Sequence, residues 1–315
     1  MLRLSGLLAI CLCLMSSVSW AEQFFFQRQA ENSQLNFAYQ WRDLDNHSRQ
    51  ISFQVPQTGF LQTPVNFRPL SPARIHREIK PDLRSFAHDS GWRDVEINLP
   101  HGGESIEINL RSGTAGQRQQ RMQALLTEKE RLQQEIMHRN YYNLLVDHAR
   151  RQGFKPDHVR IAEESHPAVQ SLAEAFANKL GEDSSPYDSL RLILSFVQTI
   201  PYAELDNRFS SPGAGFHTPA RLLFENRGDC DSKVTLIAAL FSALHPQTES
   251  LIVYLPGHAM FAVDIEPGED DYWVRHDERR FLLTEPTGPA RFEPGRIGDR
   301  YVPHVYNGAL VVEAF

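Results

Sequence analysis

The chain has 315 residues, of which 41% are hydrophobic and 23% are charged. This composition is typical of a folded globular protein, and the length is sufficient for two ordinary domains. The formal net charge of -7 is spread along the sequence. Nucleic-acid binding needs a concentrated basic surface, so we expect no nucleic-acid partner.

The N-terminus has the features of a secretory signal peptide. Arg3 precedes an apolar run at residues 7–15 that is too short to span a bilayer as a helix. Ser19 and Ala21 supply small side chains at the -3 and -1 positions of a cleavage site. We therefore predict cleavage after Ala21 and a periplasmic or secreted location. An uncleaved membrane anchor is the alternative.

The cysteine count becomes informative once this segment is removed. Of the three cysteines, Cys11 and Cys13 lie in the predicted signal peptide, which leaves Cys230 as the single thiol. Exported proteins generally use cysteines in disulfide pairs. An unpaired thiol is buried and inert, bonded to another chain, or reactive.

The remaining sequence suggests an α+β protein in three parts. Residues 22–112 contain short alternating runs and predict a β-rich accessory domain. Residues 113–153 lack proline and carry a rough helical stripe, which predicts a helical connector; a dimerising coil is the alternative. Residues 154–315 form the third part and contain Cys230.

Cys230 is predicted to lie in the first turn of an amphipathic helix. Gly228 and Asp229 are suitable residues before a helix, and His245 with Pro246 ends the apolar periodicity. Free amides and the helix dipole at this end favour a thiolate, so we expect a lowered thiol pKa. The same amides can donate to an oxyanion. The alternative is a small hydrophobic residue buried at the start of a helix.

A thiol nucleophile needs a base and a group that orients the base. His258 follows a strand-like run and a Pro-Gly turn and begins the next predicted strand, where a side chain can face a cleft. Glu285 ends another predicted strand, and a neighbouring strand would bring its carboxylate beside the His258 ring. Structural roles for His258 and Glu285 are the alternatives.

The order of these residues resembles the transglutaminase-like cysteine hydrolases of the papain-like superfamily. The resemblance covers about residues 156–290. It is carried by Gln198-Thr199-Ile200-Pro201-Tyr202, Pro219 with Leu222 and Leu223, Gly228-Asp229-Cys230, Gly257-His258-Ala259 and Glu285-Pro286-Thr287. It implies a catalytic domain in which a helix packs on an antiparallel sheet, with Cys230 as nucleophile, His258 as base and Glu285 as orienting carboxylate.

Two positions need separate comment. Tyr202 occupies a matching family position and is either an oxyanion donor or a core residue with a solvated tip. The family generally has Asp where this chain has Glu285, which is one methylene longer. The strand would then sit slightly further back, or the acid would orient His258 less well.

The resemblance implies a thiol-dependent hydrolase, either a protease or an amidase, that acts on envelope proteins or peptides through an acyl-enzyme thioester. A transglutaminase or transamidase and a non-catalytic peptide-binding module are the alternatives. The sequence shows no metal-binding spacing and no glycine-rich phosphate loop, so we expect no metal and no cofactor.

Overall fold

The structure is a computed structural model that describes residues 22–64, 67–100, 103, 105–146, 150, 152–205 and 215–315. The predicted signal peptide, residues 1–21, lies outside the described residues. The described chain is a mixed α+β protein whose sheets are antiparallel. No helix in the described part is long and apolar enough to cross a membrane.

The first sheet consists of β1 (Gln23–Glu31), β2 (Gln34–Arg42) and β3 (Ser48–Pro56). Asn32 and Ser33 both have positive φ, which suits the tight two-residue turn between β1 and β2. Alternate side chains of β2 are buried: Leu35, Phe37, Tyr39 and Trp41. This period of two buries one face of the sheet.

The next segment folds around a hydrophobic core of its own. It follows the single turn α1 (Gln57–Phe60), whose Phe60 packs in the core of the first sheet, and it consists of α2 (Pro72–Asp89), β4 (Val95–Asn98), β5 (Glu107–Leu110) and α3 (Ala115–Arg139). Its buried side chains include Ile75, Ile79, Leu83, Ile97, Leu125, Leu132 and Ile136. The hairpin β6 (Tyr142–Val146) and β7 (Gln152–Pro156) follows.

Five helices come next: α4 (His158–Glu164), α5 (His166–Leu180), α6 (Pro186–Thr199), α7 (Pro219–Glu225) and α8 (Cys230–Leu244). The chain then forms β8 (Ser250–Leu255), β9 (His258–Val263), β10 (Trp273–His276), β11 (Arg279–Thr284), a 3₁₀ turn (Asp299–Tyr301), α9 (Val302–Tyr306) and β12 (Val311–Ala314). The strands form one antiparallel sheet in the order β10-β11-β9-β8-β12.

Helix α8 lies at the centre of the largest core. It packs against β8 and β9 on one side and against α4, α5, α6 and α7 on the others. Every residue from Ser232 to Ser242 is buried. A helix that is enclosed on all sides gives Cys230, at its first position, a rigid support.

The structure differs from the sequence interpretation of residues 22–112 in two ways. This stretch contains the 18-residue helix α2 as well as strands. The first sheet also shares its core with α5, α6 and α8, whereas β4 and β5 belong to the core of α2 and α3. Alternation identified β2, β3, β4 and β5 but not β1, and periodicity does not reveal which surface a sheet packs against.

Candidate active site

Cys230 is the first residue of α8, as the sequence predicted, and it is partly buried. The Asp229 side chain caps the helix by accepting a hydrogen bond from the Ser232 amide at 3.0 Å. Gly228 allows α7 to pack closely here, since a Cβ at this position would lie 2.8 Å from Leu222 Cδ1. The two residues before Cys230 therefore determine where α8 begins and allow α7 to pack closely against that point.

Tyr202 lies beside this helix start. It forms an isolated parallel bridge with Gly228, in which the Gly228 amide donates to Pro201 O at 3.2 Å and the Ala203 amide donates to Gly228 O at 3.1 Å. The Tyr202 side chain is 46% exposed, so it is not a core residue. Burial, followed by the charges of Cys230 and Asp229, raises the pKa of the Tyr202 phenol, which therefore stays protonated and able to donate.

His258 and Glu285 form a buried hydrogen-bonded pair. His258 is the first residue of β9, and Glu285 comes directly after β11, the strand hydrogen-bonded to β9. His258 Nε2 lies 2.7 Å from Glu285 Oε2. The other carboxylate oxygen, Oε1, accepts a hydrogen bond from the Thr287 amide at 3.0 Å. The longer glutamate side chain therefore reaches the imidazole, and both of its oxygens are fixed.

Tyr301, from the 3₁₀ turn, covers this pair. Its ring is parallel to the His258 imidazole within 4°, with the ring centroids 4.0 Å apart. A stacked ring limits rotation of the imidazole and shields the hydrogen bond to Glu285 from water. Sequence reasoning missed Tyr301, because nothing in the local pattern of residues 299–301 distinguishes it from an ordinary turn residue.

The Cys230 sulfur lies between the start of α8 and the start of β9. The backbone amide of Ala259, which follows His258, is placed to hydrogen-bond the sulfur. Asp231 Oδ1 lies 3.5 Å from Sγ on the other side. Nδ1 of His258 makes no hydrogen bond within the described residues. Residues from two separate elements, α8 and β9, thus meet around the sulfur.

The expectation of a lowered thiol pKa is wrong. Burial, followed by the carboxylates of Asp231 and Asp229, raises the pKa of the Cys230 thiol far above its ordinary value, and the Ala259 amide only partly opposes this. The sequence argument considered the helix dipole alone. Desolvation and two flanking acids outweigh the dipole, so the free protein holds a thiol rather than a thiolate.

The acid that caps the helix is also perturbed. Burial, followed by the nearby charge of Asp231, raises the pKa of Asp229 to about 7. Burial likewise raises the pKa of Asp231. The local negative charge beside Cys230 is therefore reduced by protonation below neutral pH.

One group of side chains among the described residues has ligand atoms close enough together to hold a metal ion: Asp43, Asp45 and His47, in the turn between β2 and β3. Asp43 already accepts hydrogen bonds from Arg49 and from two backbone amides, and Asp45 pairs with Arg191. Asp43 and Asp45 are therefore already engaged in ion pairs with Arg49 and Arg191.

Comparison of the sequence with protein-family models found no match, and a search of curated protein sequences found no significant similarity. The functional assignment therefore depends on the residues and their geometry.

Proposed function

We propose that this chain is a thiol-dependent hydrolase of amide bonds, with Cys230 as nucleophile, His258 as base and Glu285 as the group that orients the base. The observation that carries the proposal is the buried His258–Glu285 hydrogen bond of 2.7 Å, next to the Ala259 amide that hydrogen-bonds the sulfur at the N-terminus of α8. An isolated buried cysteine would need neither partner. We further propose that the fold around the site is transglutaminase-like.

The contacts of His258 indicate which of its ring nitrogens carries a proton. Glu285 accepts a hydrogen bond from Nε2, so the neutral imidazole carries its proton on Nε2 and presents Nδ1 as a base. As Sγ attacks a carbonyl carbon, the thiol proton passes to Nδ1, and Glu285 stabilises the imidazolium that forms. The imidazolium then protonates the leaving amine, which leaves a thioester on Cys230. Water attacks the thioester and regenerates the thiol.

The oxyanion that forms on the carbonyl needs donors. The amides of Ser232 and Lys233 already donate to Asp229, the first to its side chain and the second to its backbone carbonyl. The first two amides of α8, those of Cys230 and Asp231, make no hydrogen bond within the described residues. We assign the Cys230 amide as the main donor. The exposed, protonated phenol of Tyr202 is the second donor in this proposal.

The proposed substrates are proteins or peptides of the cell envelope, in keeping with the predicted signal peptide. Hydrolysis is the proposed outcome because water is always present at the thioester.

The test is to incubate envelope proteins with the wild type and with Cys230→Ser, and to identify new peptide N-termini by mass spectrometry. We expect new N-termini with the wild type only. Identical products from both proteins, or none from either, would contradict the proposal. Repeating the incubation with an added primary amine distinguishes acyl transfer, which joins the amine to the substrate, from hydrolysis.

A further inference from the structure

Lys233 is a fully buried cation one turn after Cys230 on α8. Lys233 is 0% exposed, and the part of the helix that follows it is mostly apolar. Burying an ammonium group is costly, because the group loses its contacts with water. An apolar side chain would fill the same space without that cost, so the contacts of Lys233 indicate what it does.

The ammonium group donates to two backbone carbonyls, those of Ile200 and Thr287. Ile200 ends α6 and leads directly to Pro201 and Tyr202, which bridge to Gly228. Thr287 lies two residues after Glu285. Lys233 therefore joins the helix that carries Cys230 to the segment of Tyr202 and to the segment of Glu285.

Both the backbone amide and the backbone carbonyl of Thr287 are hydrogen-bonded. Its amide donates to Glu285 Oε1, and its carbonyl accepts from Lys233. A continuous set of hydrogen bonds thus leads from Lys233 through Thr287 and Glu285 to Nε2 of His258. The Gln198 side chain fixes the same segment by donating to the carbonyls of Glu285 and Phe292, each at 2.9 Å.

The charge of Lys233 acts on the same carboxylate. No carboxylate within the described residues forms a direct ion pair with Nζ, yet Glu285 and Asp229 are its nearest acidic neighbours. Burial lowers the pKa of Lys233 to about 7, and the two acids oppose this effect. In its protonated form, Lys233 therefore stabilises the Glu285 carboxylate electrostatically, and its hydrogen bonds hold the backbone beside that carboxylate.

We propose that Lys233 is a positioning residue, which holds the Glu285 carboxylate in place against His258 through Thr287. This inference depends on the proposed function only in giving the His258–Glu285 pair a catalytic purpose. What Lys233 controls is the hydrogen bond between His258 and Glu285.

The test compares Lys233→Met with the wild type by proton NMR and by alkylation of Cys230. The proton between His258 Nε2 and Glu285 Oε2 gives a downfield resonance, which Glu285→Gln identifies by removing it. We expect Lys233→Met to weaken or remove this resonance and to slow alkylation about tenfold, the change that one pKa unit of interaction produces. Ser242→Ala is the matched control, because Ser242 is a buried, hydrogen-bonded residue near the far end of α8.

A double-mutant comparison separates positioning from a general loss of stability. If Lys233 acts through Glu285, Lys233→Met causes no further slowing in a Glu285→Gln background. If the two substitutions together slow alkylation by the product of their separate factors, Lys233 has a structural role alone and the proposal is overturned. Thermal unfolding checks that each variant is folded, and Lys233→Gln, which keeps amide donors without the charge, replaces Lys233→Met should that variant not fold.

An unchanged resonance and wild-type alkylation in both Lys233 variants would also overturn the proposal. Failure of the proposed function gives a different result, namely equal alkylation of the wild type and His258→Ala.

Discussion

At the residue scale, the hydrogen bond of Glu285 determines which nitrogen of His258 can act as a base. An ionised carboxylate only accepts, so Nε2 must donate and Nδ1 is free to take a proton. The additional methylene of glutamate does not prevent this contact, since the oxygen-to-nitrogen distance is 2.7 Å. Glu285, one methylene longer than the Asp of the family that the sequence resembles, thus still reaches the imidazole.

We expect Glu285→Gln to slow substrate cleavage by about 10³- to 10⁴-fold, comparable to the loss of an orienting carboxylate in a serine protease. The Gln amide would donate to Nε2, so the His258 proton would move to Nδ1 and the base would be lost. Steady-state kinetics measure the effect. Glu285→Asp keeps the charge, and it should lose less activity than Glu285→Gln; the reverse order would contradict this explanation.

Asp229 connects the site to the pH dependence of stability. Its pKa is about 7 in the folded chain, raised by burial from an ordinary value of 3.8, so the folded state binds more protons between these values. The resulting stabilisation is complete below about 3.8 and is lost as the pH rises through about 7.

Asp229→Asn should remove this contribution and leave the helix cap intact, because Asn caps helices as well as Asp does. Chemical denaturation at a series of pH values between 4 and 8 measures it. We expect the free energy of unfolding of the variant to fall less with rising pH than that of the wild type. Parallel curves would show that Asp229 does not titrate in this range.

At the scale of secondary structure, the start of α8 and the strand of His258 could be predicted because local residues determine them. Asp229 is a good cap, and the spacing of Val234, Ile237 and Phe241 is helical. The Pro256-Gly257 turn marks the start of β9. The stacking of Tyr301 and the contacts of Lys233 join residues distant in sequence, which a single sequence does not reveal.

The missed helix α2 has a local cause. It carries a buried stripe of Ile75, Ile79 and Leu83, but Pro81 lies in its interior. Proline within a helix removes a backbone donor and normally argues against a helix. Here the packing of the stripe against α3 outweighs that cost.

The segment after Glu285 packs directly on the end of α6. Gly288 has a φ of +59°, and a Cβ there would lie 2.1 Å from the carbonyl oxygen of Gln198. Gly288→Ala must therefore displace this segment and the hydrogen bonds of Gln198. We expect it to lower the free energy of unfolding by about 1–3 kcal/mol and to reduce activity, because Glu285 moves with the segment.

Thermal unfolding and kinetics measure the two effects of Gly288→Ala. Gly257→Ala is a control with a similar backbone, since Gly257 also has positive φ but no atom lies within 4 Å of its Cβ position. A smaller effect of Gly288→Ala than of Gly257→Ala would contradict the role of this close contact.

At the scale of the whole molecule, the first sheet is part of the structure that supports the site. Trp41 is fully buried, and its Nε1 donates to Ser195 Oγ of α6 at 3.0 Å. The Tyr39 hydroxyl donates to Leu223 O of α7 at 3.0 Å. Residues that begin the described chain thus pack on the helices that surround α8, whereas α2 and α3 form a second core.

Trp41→Ala should cost about 3–5 kcal/mol and destabilise α8 together with the first sheet, since both belong to one core. Leu125→Ala, a fully buried residue of the second core, is the comparison. Hydrogen exchange distinguishes the effects of the two substitutions. We expect faster exchange in α8 for Trp41→Ala, and faster exchange in α2 and α3 for Leu125→Ala. Equal loss of protection in α8 from both would show that the two cores unfold as one.

Alkylation of the Cys230 thiol is the most direct test of whether His258 activates it. Because burial and the flanking acids raise the thiol pKa, rapid reaction requires His258 to remove the proton. The rate is measured on the peptide that contains Cys230 by mass spectrometry, so other thiols do not interfere. We expect alkylation of the native wild type to be faster than that of His258→Ala. Equal, slow alkylation of the two proteins would contradict the account.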